Sequence, residues 1–289
     1  MMKAIAMASL VRVYFPLLSL VLVLACASPD RSKPKSVDGS PSAASEEVAD
    51  EGDETGFGEE ASQREKVDKE YEAIEIAHKR NDGNGVLQGA TRVLANKPHD
   101  AKALNAIAAE YIRQGKIDLA KLALQKAFEK NPDVSSLHAN LGVILLKEGD
   151  HRRAMQSFKR AIQLDASNAT ASANLGALYV HYRDYGRALP LLETAHRAFK
   201  DKISISNNYA IALRGTGELN QAQKIYEDIL EKDSRHSEAT YNYAILLIDF
   251  LDKPSEGMKL LSKLEFLGIS PDMQRKVDQL RLKVRSRPK

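Results

Sequence analysis

The stretch SSLHANLGVILLKEGDHRRAMQSFKRAIQLDASN, residues 135–168, decides the fold. Leu141, Ile144 and Leu145 are spaced as one face of a helix. Gly149 then breaks that face, because a residue without Cβ can take φ > 0, and Asp150 stands where it can cap a following helix. Ala154, Met155, Phe158, Ala161 and Ile162 form a second apolar stripe, and residues 165–168 are turn-rich. Two such helices cannot bury their apolar faces alone, so the unit needs neighbours to stack on.

The neighbours are in the chain. Read from Ala101, Ser135, Ala169 and Ile203, four consecutive 34-residue segments place the same residue types at the same offsets. The eighth position is small (Ala108, Gly142, Gly176, Ala210) and the twentieth is alanine (Ala120, Ala154, Ala188, Ala222). The twenty-fourth is large (Leu124, Phe158, Leu192, Tyr226), and Ala127, Ala161, Ala195 and Ile229 hold the twenty-seventh. Small residues let two helices cross closely, and the large one fills the space beside the crossing. Gly115, Gly149 and Gly217 mark the turn inside three repeats; Arg183 replaces glycine in the fourth, so the turn is expected there on Asp184-Tyr185-Gly186. Self-similarity at this period predicts a stacked helix-pair solenoid.

These residues carry a resemblance to the tetratricopeptide repeat (TPR). Leu141, Gly142, Leu145, Ala154, Phe158 and Ala161 match its pattern, as do Leu175, Gly176, Tyr179, Ala188, Leu192 and Ala195. The resemblance covers residues 101–236 and extends more weakly over 67–98 and 237–270. It implies an all-α, right-handed TPR superhelical solenoid of about six helix pairs over residues 67–270, with repeats starting near 67, 101, 135, 169, 203 and 237. Residues 271–289 are then a capping helix and basic tail, the helix reading as 273–284.

In this family the first helices of successive repeats line a concave groove. Carrying the groove offsets over gives a ladder of Asn140, Asn174, Asn208 and Asn242, with Val143, Leu146, Ala177, Val180 and Ile211 as apolar lining and Asn105 towards the rim. The resemblance implies that these offsets face outwards from the packed core. A ladder of amides can hold the main chain of an extended peptide. It can equally be spent on bonds between neighbouring repeats.

The front of the chain reads differently. Lys3 and Arg12 precede an apolar run over 13–25, short for a membrane span and ending at small residues, as a secretory signal does. Val23-Leu24-Ala25-Cys26 resembles the bacterial lipobox, and Cys26 is the single cysteine of the chain. Residues 1–25 are thus expected to be a lipoprotein signal peptide, with Cys26 lipidated. The resemblance to bacterial lipoproteins implies, with Ala27 in place of aspartate after the cysteine, an outer-membrane lipoprotein facing the periplasm. One cysteine allows no intramolecular disulfide and no cysteine metal site.

Residues 26–66 read as a disordered acidic tether: from Asp38 to Glu60 there are nine acidic residues and no basic one. Residues 27–66 carry a net charge of −6, and residues 67–289 a net +7. Arg275, Lys276, Arg281, Lys283, Arg285, Arg287 and Lys289 concentrate positive charge at the end. Such a run is either a solvated helix face or a patch for anionic lipid or an acidic partner. Nucleic acid is not expected for an exported protein.

No catalytic constellation is present in the sequence. The seven histidines fall at different repeat offsets and none forms a metal-ligand pair. Gly83-Asn84-Gly85 with Gly89 lacks the spacing and preceding strand of a phosphate loop, and residues 81–85 read instead as the turn of a first, degraded repeat. The expectation is a protein without catalytic, metal or cofactor site. Anchor, tether and solenoid together resemble the TPR lipoproteins of bacterial envelope machines, the type IV pilus pilotins and the gliding-motility lipoproteins. That resemblance implies a protein partner, such as a secretin or motility-complex subunit, held through an extended or amphipathic segment. The alternative is an adaptor that recruits a periplasmic protease or cell-wall hydrolase.

Overall fold

The computed structural model describes residues 55–286, with side chains from 66 onward. The expected signal peptide, Cys26, most of the expected tether, Arg287 and Lys289 lie outside the described residues. Among those described there are thirteen α-helices and no strand. The chain runs α1 (Thr55–Lys79), α2 (Gly83–Asn96), α3 (Ala101–Arg113), α4 (Ile117–Phe128), α5 (Ser135–Lys147), α6 (His151–Leu164) and α7 (Ala169–His181). It continues with α8 (Tyr185–Ala198), α9 (Ile203–Thr216), α10 (Leu219–Lys232), α11 (Ser237–Asp249), α12 (Pro254–Phe266) and α13 (Pro271–Arg285). From α3 onward each odd-numbered helix starts one full repeat after the one before it, at Ala101, Ser135, Ala169, Ile203 and Ser237, and α13 keeps the step at Pro271.

The two layers of the solenoid follow from who touches whom. Each odd helix from α3 to α13 packs on the next odd one, whereas the even helices are held to odd neighbours and make no comparable contact with one another. The odd helices therefore form an inner layer and the even ones an outer layer. Short caps start many of them. Asp150 Oδ1 accepts from Arg153 N at 2.9 Å, and Asp82, Asp100, Asn168 and Asp184 do the same for their helices. Each such cap stabilises its helix by ~1 kcal/mol.

Packing inside each pair uses the small and large offsets as the sequence predicts. A Cβ on Gly142 would lie 2.6 Å from the Phe158 ring, and one on Gly176 would lie 2.6 Å from Leu192 Cγ. Ala120, Ala154, Ala188 and Ala222 are fully buried beside them. The glycine at offset eight is therefore space reserved for the large residue at offset twenty-four of the partner helix.

Two expectations need correction. The turn lacking glycine is made by Arg183 itself, at φ 59°, with Asp184 as the cap and Tyr185 already helical. Arg183 N donates to Val180 O at 2.9 Å and Asp184 N to Tyr179 O at 2.8 Å, the same pattern as Gly149 N to Leu146 O and Asp150 N to Leu145 O. The turn geometry is thus set by its hydrogen bonds, and Arg183 bears the left-handed strain of ~1–2 kcal/mol that glycine avoids. Second, α1 begins at Thr55, inside the stretch assigned to the tether. Residues 55–66 have no apolar face, but Glu59, Glu60, Ala61, Gln63, Glu65 and Lys66 are good helix formers. Extending an existing helix adds one bond per residue fixed, so α1 can run on from a segment anchored by Val67, Ile74 and Ala77.

Candidate partner-binding site

The groove-lining residues lie on the inner layer, and the structure buries them. Val143 is 0% exposed, Val180 1%, Ala177 3%, Ile211 4% and Leu146 6%. Along α7 every residue from 170 to 180 is buried. The expectation that these offsets face outwards is overturned for them. The cause is side-chain size: Ala139, Ala173 and Ala177 are short enough for adjacent odd helices to close over one another, so Val143, Leu146, Val180 and Ile211 join the core between α5, α7 and α9.

Asn140 and Asn242 take the second of their two readings, bonds between neighbouring repeats. Asn140 Nδ2 donates to Asn105 Oδ1 at 2.9 Å, linking α5 to α3. Asn242 Nδ2 donates to Asn207 Oδ1 at 3.1 Å, linking α11 to α9. Asn174 Nδ2 donates to Thr170 O at 2.9 Å within α7, and Asn208 is buried. Amides at this depth satisfy inter-helix polar groups that would otherwise cost ~1–3 kcal/mol each. Of the ladder, Asn242 alone stays partly accessible.

The basic end is also largely spoken for. Asp272 pairs with Arg275 and Lys276, Glu265 with Arg281, and Asp249 with Lys283. Arg275 and Lys283 are exposed, Lys276 and Arg281 only partly so, and Val277 and Leu280 close the end of the core.

The structure brings together residues that the sequence reading kept apart. His151, at the start of α6, meets His181 at the end of α7, ring centroids 5.7 Å apart, and its Nδ1 lies 3.0 Å from Tyr182 Oη. Burial, followed by the charge of His151, holds His181 below the ordinary histidine range. Offset seventeen of one repeat meets offset thirteen of the next, so two histidines from successive repeats become neighbours. Among the described residues no group of three or more His, Cys, Asp or Glu could hold a metal.

An open cleft lies on the outer side, between α8 and α10 and over the first turn of α9. This cleft of about 360 Å³ has Ile203, Ile225 and Ile229 as its floor. His196 stacks on Tyr209 with centroids 5.1 Å apart, and its Nδ1 lies 3.0 Å from Ser206 Oγ. Burial comes first in holding His196 below the usual range; Lys232 and Lys200 push the same way and Asp228 opposes them. Arg197, Lys200 and Lys232 line it together with Asp228 and Glu231, so charges of both signs are interleaved around it, Glu231 beside Lys232 and Asp228 one turn before it. The sequence held a signal for this site that the repeat reading passed over. One repeat earlier, the offsets of Lys200, Asp228, Glu231 and Lys232 hold Ala166, Thr194, Arg197 and Ala198. The charge pattern belongs to this junction and not to the repeat.

Comparison with known proteins agrees with the architecture. Two family profiles, both described as tetratricopeptide repeat, match the chain: one over residues 105–169, the other over 145–201 and again over 182–239. A TPR repeat-containing protein of Dictyostelium discoideum is 26% identical over 139 residues, 46% of this chain. That match spans about half (53%) of the relative's own length. Among solved structures, YrrB, described as a TPR protein with an unusual peptide-binding site, superposes with a TM-score of 0.56 at 17% identity. The match covers 66% of this chain and 97% of YrrB. MamA of Desulfovibrio magneticus RS-1 superposes with a TM-score of 0.50 at 20% identity over 58% of this chain and 94% of its own. Likeness at such identities speaks for the fold alone. Residues 105–239 are tetratricopeptide repeats, and the helices around them build the all-α superhelix of that repeat, a scaffold suited to protein–protein interaction.

Proposed function

We propose that this protein is a membrane-anchored TPR scaffold that holds a protein partner while a cell-envelope machine is assembled or stabilised. The anchor is the lipidated Cys26, placing the solenoid on the periplasmic side of the outer membrane. The partner is a subunit of that machine, a type IV pilus secretin or a gliding-motility component, engaged through an extended or amphipathic segment. The observation that supports the reading is a sequence resembling a lipobox, Val23-Leu24-Ala25-Cys26, ahead of a solenoid with an open cleft on its outer side. YrrB, with its peptide-binding site, makes capture of a peptide segment a natural mode for a solenoid of this shape. Because the inner layer is closed, capture falls to the outer surface or to the more accessible end near Asn242.

The test is Cys26→Ser in the native host. A single acyl chain binds membranes only marginally, so stable attachment depends on full processing at this residue. The variant should lose incorporation of labelled palmitate, leave the outer-membrane fraction, and lower the yield of secretin multimers on denaturing gels. Undiminished multimers with an unlipidated, soluble variant would remove the anchor from the function.

A further inference from the structure

One junction between repeats sets two histidines against each other, and the repeat pattern does not account for it. His151 opens α6 and His181 closes α7, at offsets seventeen and thirteen of successive repeats. The same register holds at the next junction, where a Cβ on Gly215 would collide with the ring of Tyr185. At the other three junctions these offsets hold Ile117 with Lys147, Tyr185 with Gly215 and Leu219 with Asp249. Offset seventeen is thus aliphatic or aromatic wherever it is not His151. Among these four junctions, this is the one where both positions carry an imidazole.

The two ring centroids stand 5.7 Å apart with their planes at 86°. Metal–nitrogen bonds of about 2.0–2.1 Å put the ring centres of two histidines on one ion roughly 5–6 Å apart, so this spacing suits a shared ion. The last side-chain torsion of histidine is broad, which lets each ring turn a nitrogen towards the common point. Tyr182 closes the third side, its ring 5.0 Å from that of His181 and 6.2 Å from that of His151. Its Oη lies 3.0 Å from His151 Nδ1. With Nδ1–H donating to the phenol, Nε2 of His151 carries the lone pair; ligating histidines commonly give their other N–H to a neighbour in this way. Among the described residues no hydrogen bond within the protein reaches the ring of His181, and both histidines are partly open to solvent. Burial and the charge of His151 hold His181 below the ordinary histidine range, so it is largely neutral at neutral pH, the form that binds metal.

We propose that His151 and His181 form a two-histidine site for a late first-row divalent ion, with water in the remaining positions and Tyr182 orienting His151. Imidazole nitrogens suit copper, nickel and zinc, and Cu(II) is held most tightly of that series. A bound ion ties the start of α6 to the end of α7 and so pins the junction between the repeats that begin at Ser135 and Ala169. Neither a protein partner nor the anchor at Cys26 is needed for it.

The experiment uses the full chain purified in detergent near neutral pH, with Cu(II) alone and Zn(II) alone as probes. Titration calorimetry should give one Cu(II) per chain, bound more tightly than Zn(II). Electron paramagnetic resonance of the copper form should show coupling to two imidazole nitrogens. Saturating Cu(II) should raise the melting temperature by about 5 °C. His151→Gln and His181→Gln should each weaken Cu(II) by more than about tenfold and remove the thermal shift. Tyr182→Phe, which keeps the ring and loses the orienting bond, should weaken it by about tenfold. His138→Gln, on the first turn of α5, should leave binding unchanged. Coupling to a single nitrogen in the parent, or Cu(II) held equally well by both histidine variants, would mean an adventitious ion only and overturn the proposal. An equal loss in His138→Gln would do so too. The nitrogen count is read on the unaltered protein, so it decides the question even where circular dichroism shows that a variant has misfolded.

Discussion

Helices α7 and α10 differ in almost everything except being helical. In α7 (Ala169–His181) every residue from 170 to 180 is buried, and small or apolar side chains run all round it. In α10 (Leu219–Lys232) only Ala222, Tyr226 and Ile229 are buried, on one stripe, and the remaining face carries Lys224, Glu227, Asp228 and Glu231. An inner helix is touched by two odd neighbours and by even helices on its outer side, so nearly every position meets protein. An outer helix has one packed face and is free elsewhere. Variation without loss of fold is open to the outer layer, and in this protein that is where the charge pattern departs from the repeat.

The contrast can be broken most severely at the inner layer. Val180→Glu places a charge at a 1%-exposed position in the core between α7 and its neighbours. It should cost more than about 4 kcal/mol, enough to unfold the central repeats. The same charge at Lys224→Glu on the exposed face of α10 should change stability by under about 0.5 kcal/mol. Urea unfolding followed by circular dichroism compares the two. A Val180→Glu protein as stable as the parent would mean that the inner groove is open in solution.

The contact between the layers is the next test. Phe158→Ala should cost ~3–5 kcal/mol, because the ring fills the space above Gly142. Restoring a methyl there with Gly142→Ala should recover part of the loss, whereas Gly142→Ala alone should destabilise through its 2.6 Å approach to the ring. A double-mutant cycle should therefore give a coupling of ~0.5–3 kcal/mol. Additive effects would show that the two positions do not share one space.

The smallest expected effect is at the loop between α7 and α8. Arg183 sits at φ 59° where Gly115, Gly149 and Gly217 stand in their repeats, so Arg183→Gly should stabilise by up to about 1 kcal/mol. Thermal unfolding should show a small upward shift. Gly149→Ala, at φ 80° and with open space around its Cβ, should show the reverse by a similar amount for the same backbone reason.

The amino-acid sequence by itself determined the period, the helix-pair unit, the phase of each odd helix from α3 onward and the pairing of Gly142 with Phe158. Those features are local: apolar spacing, a turn residue and a cap all fall inside a single repeat, so each unit states them again. Only the tertiary structure decided which face of the inner layer stays open. Asn140, Val143 and Val180 occupy offsets that line a groove when successive odd helices stand apart, and the same offsets become core when alanines let those helices close. The outer cleft was equally illegible, because His196, Ser206, Asp228 and Lys232 lie on three helices and meet only through the stacking of two repeats. Spacing along a helix fixes which side chains share a face. How closely the next helix approaches that face is set by the summed packing of both, and no single repeat contains it.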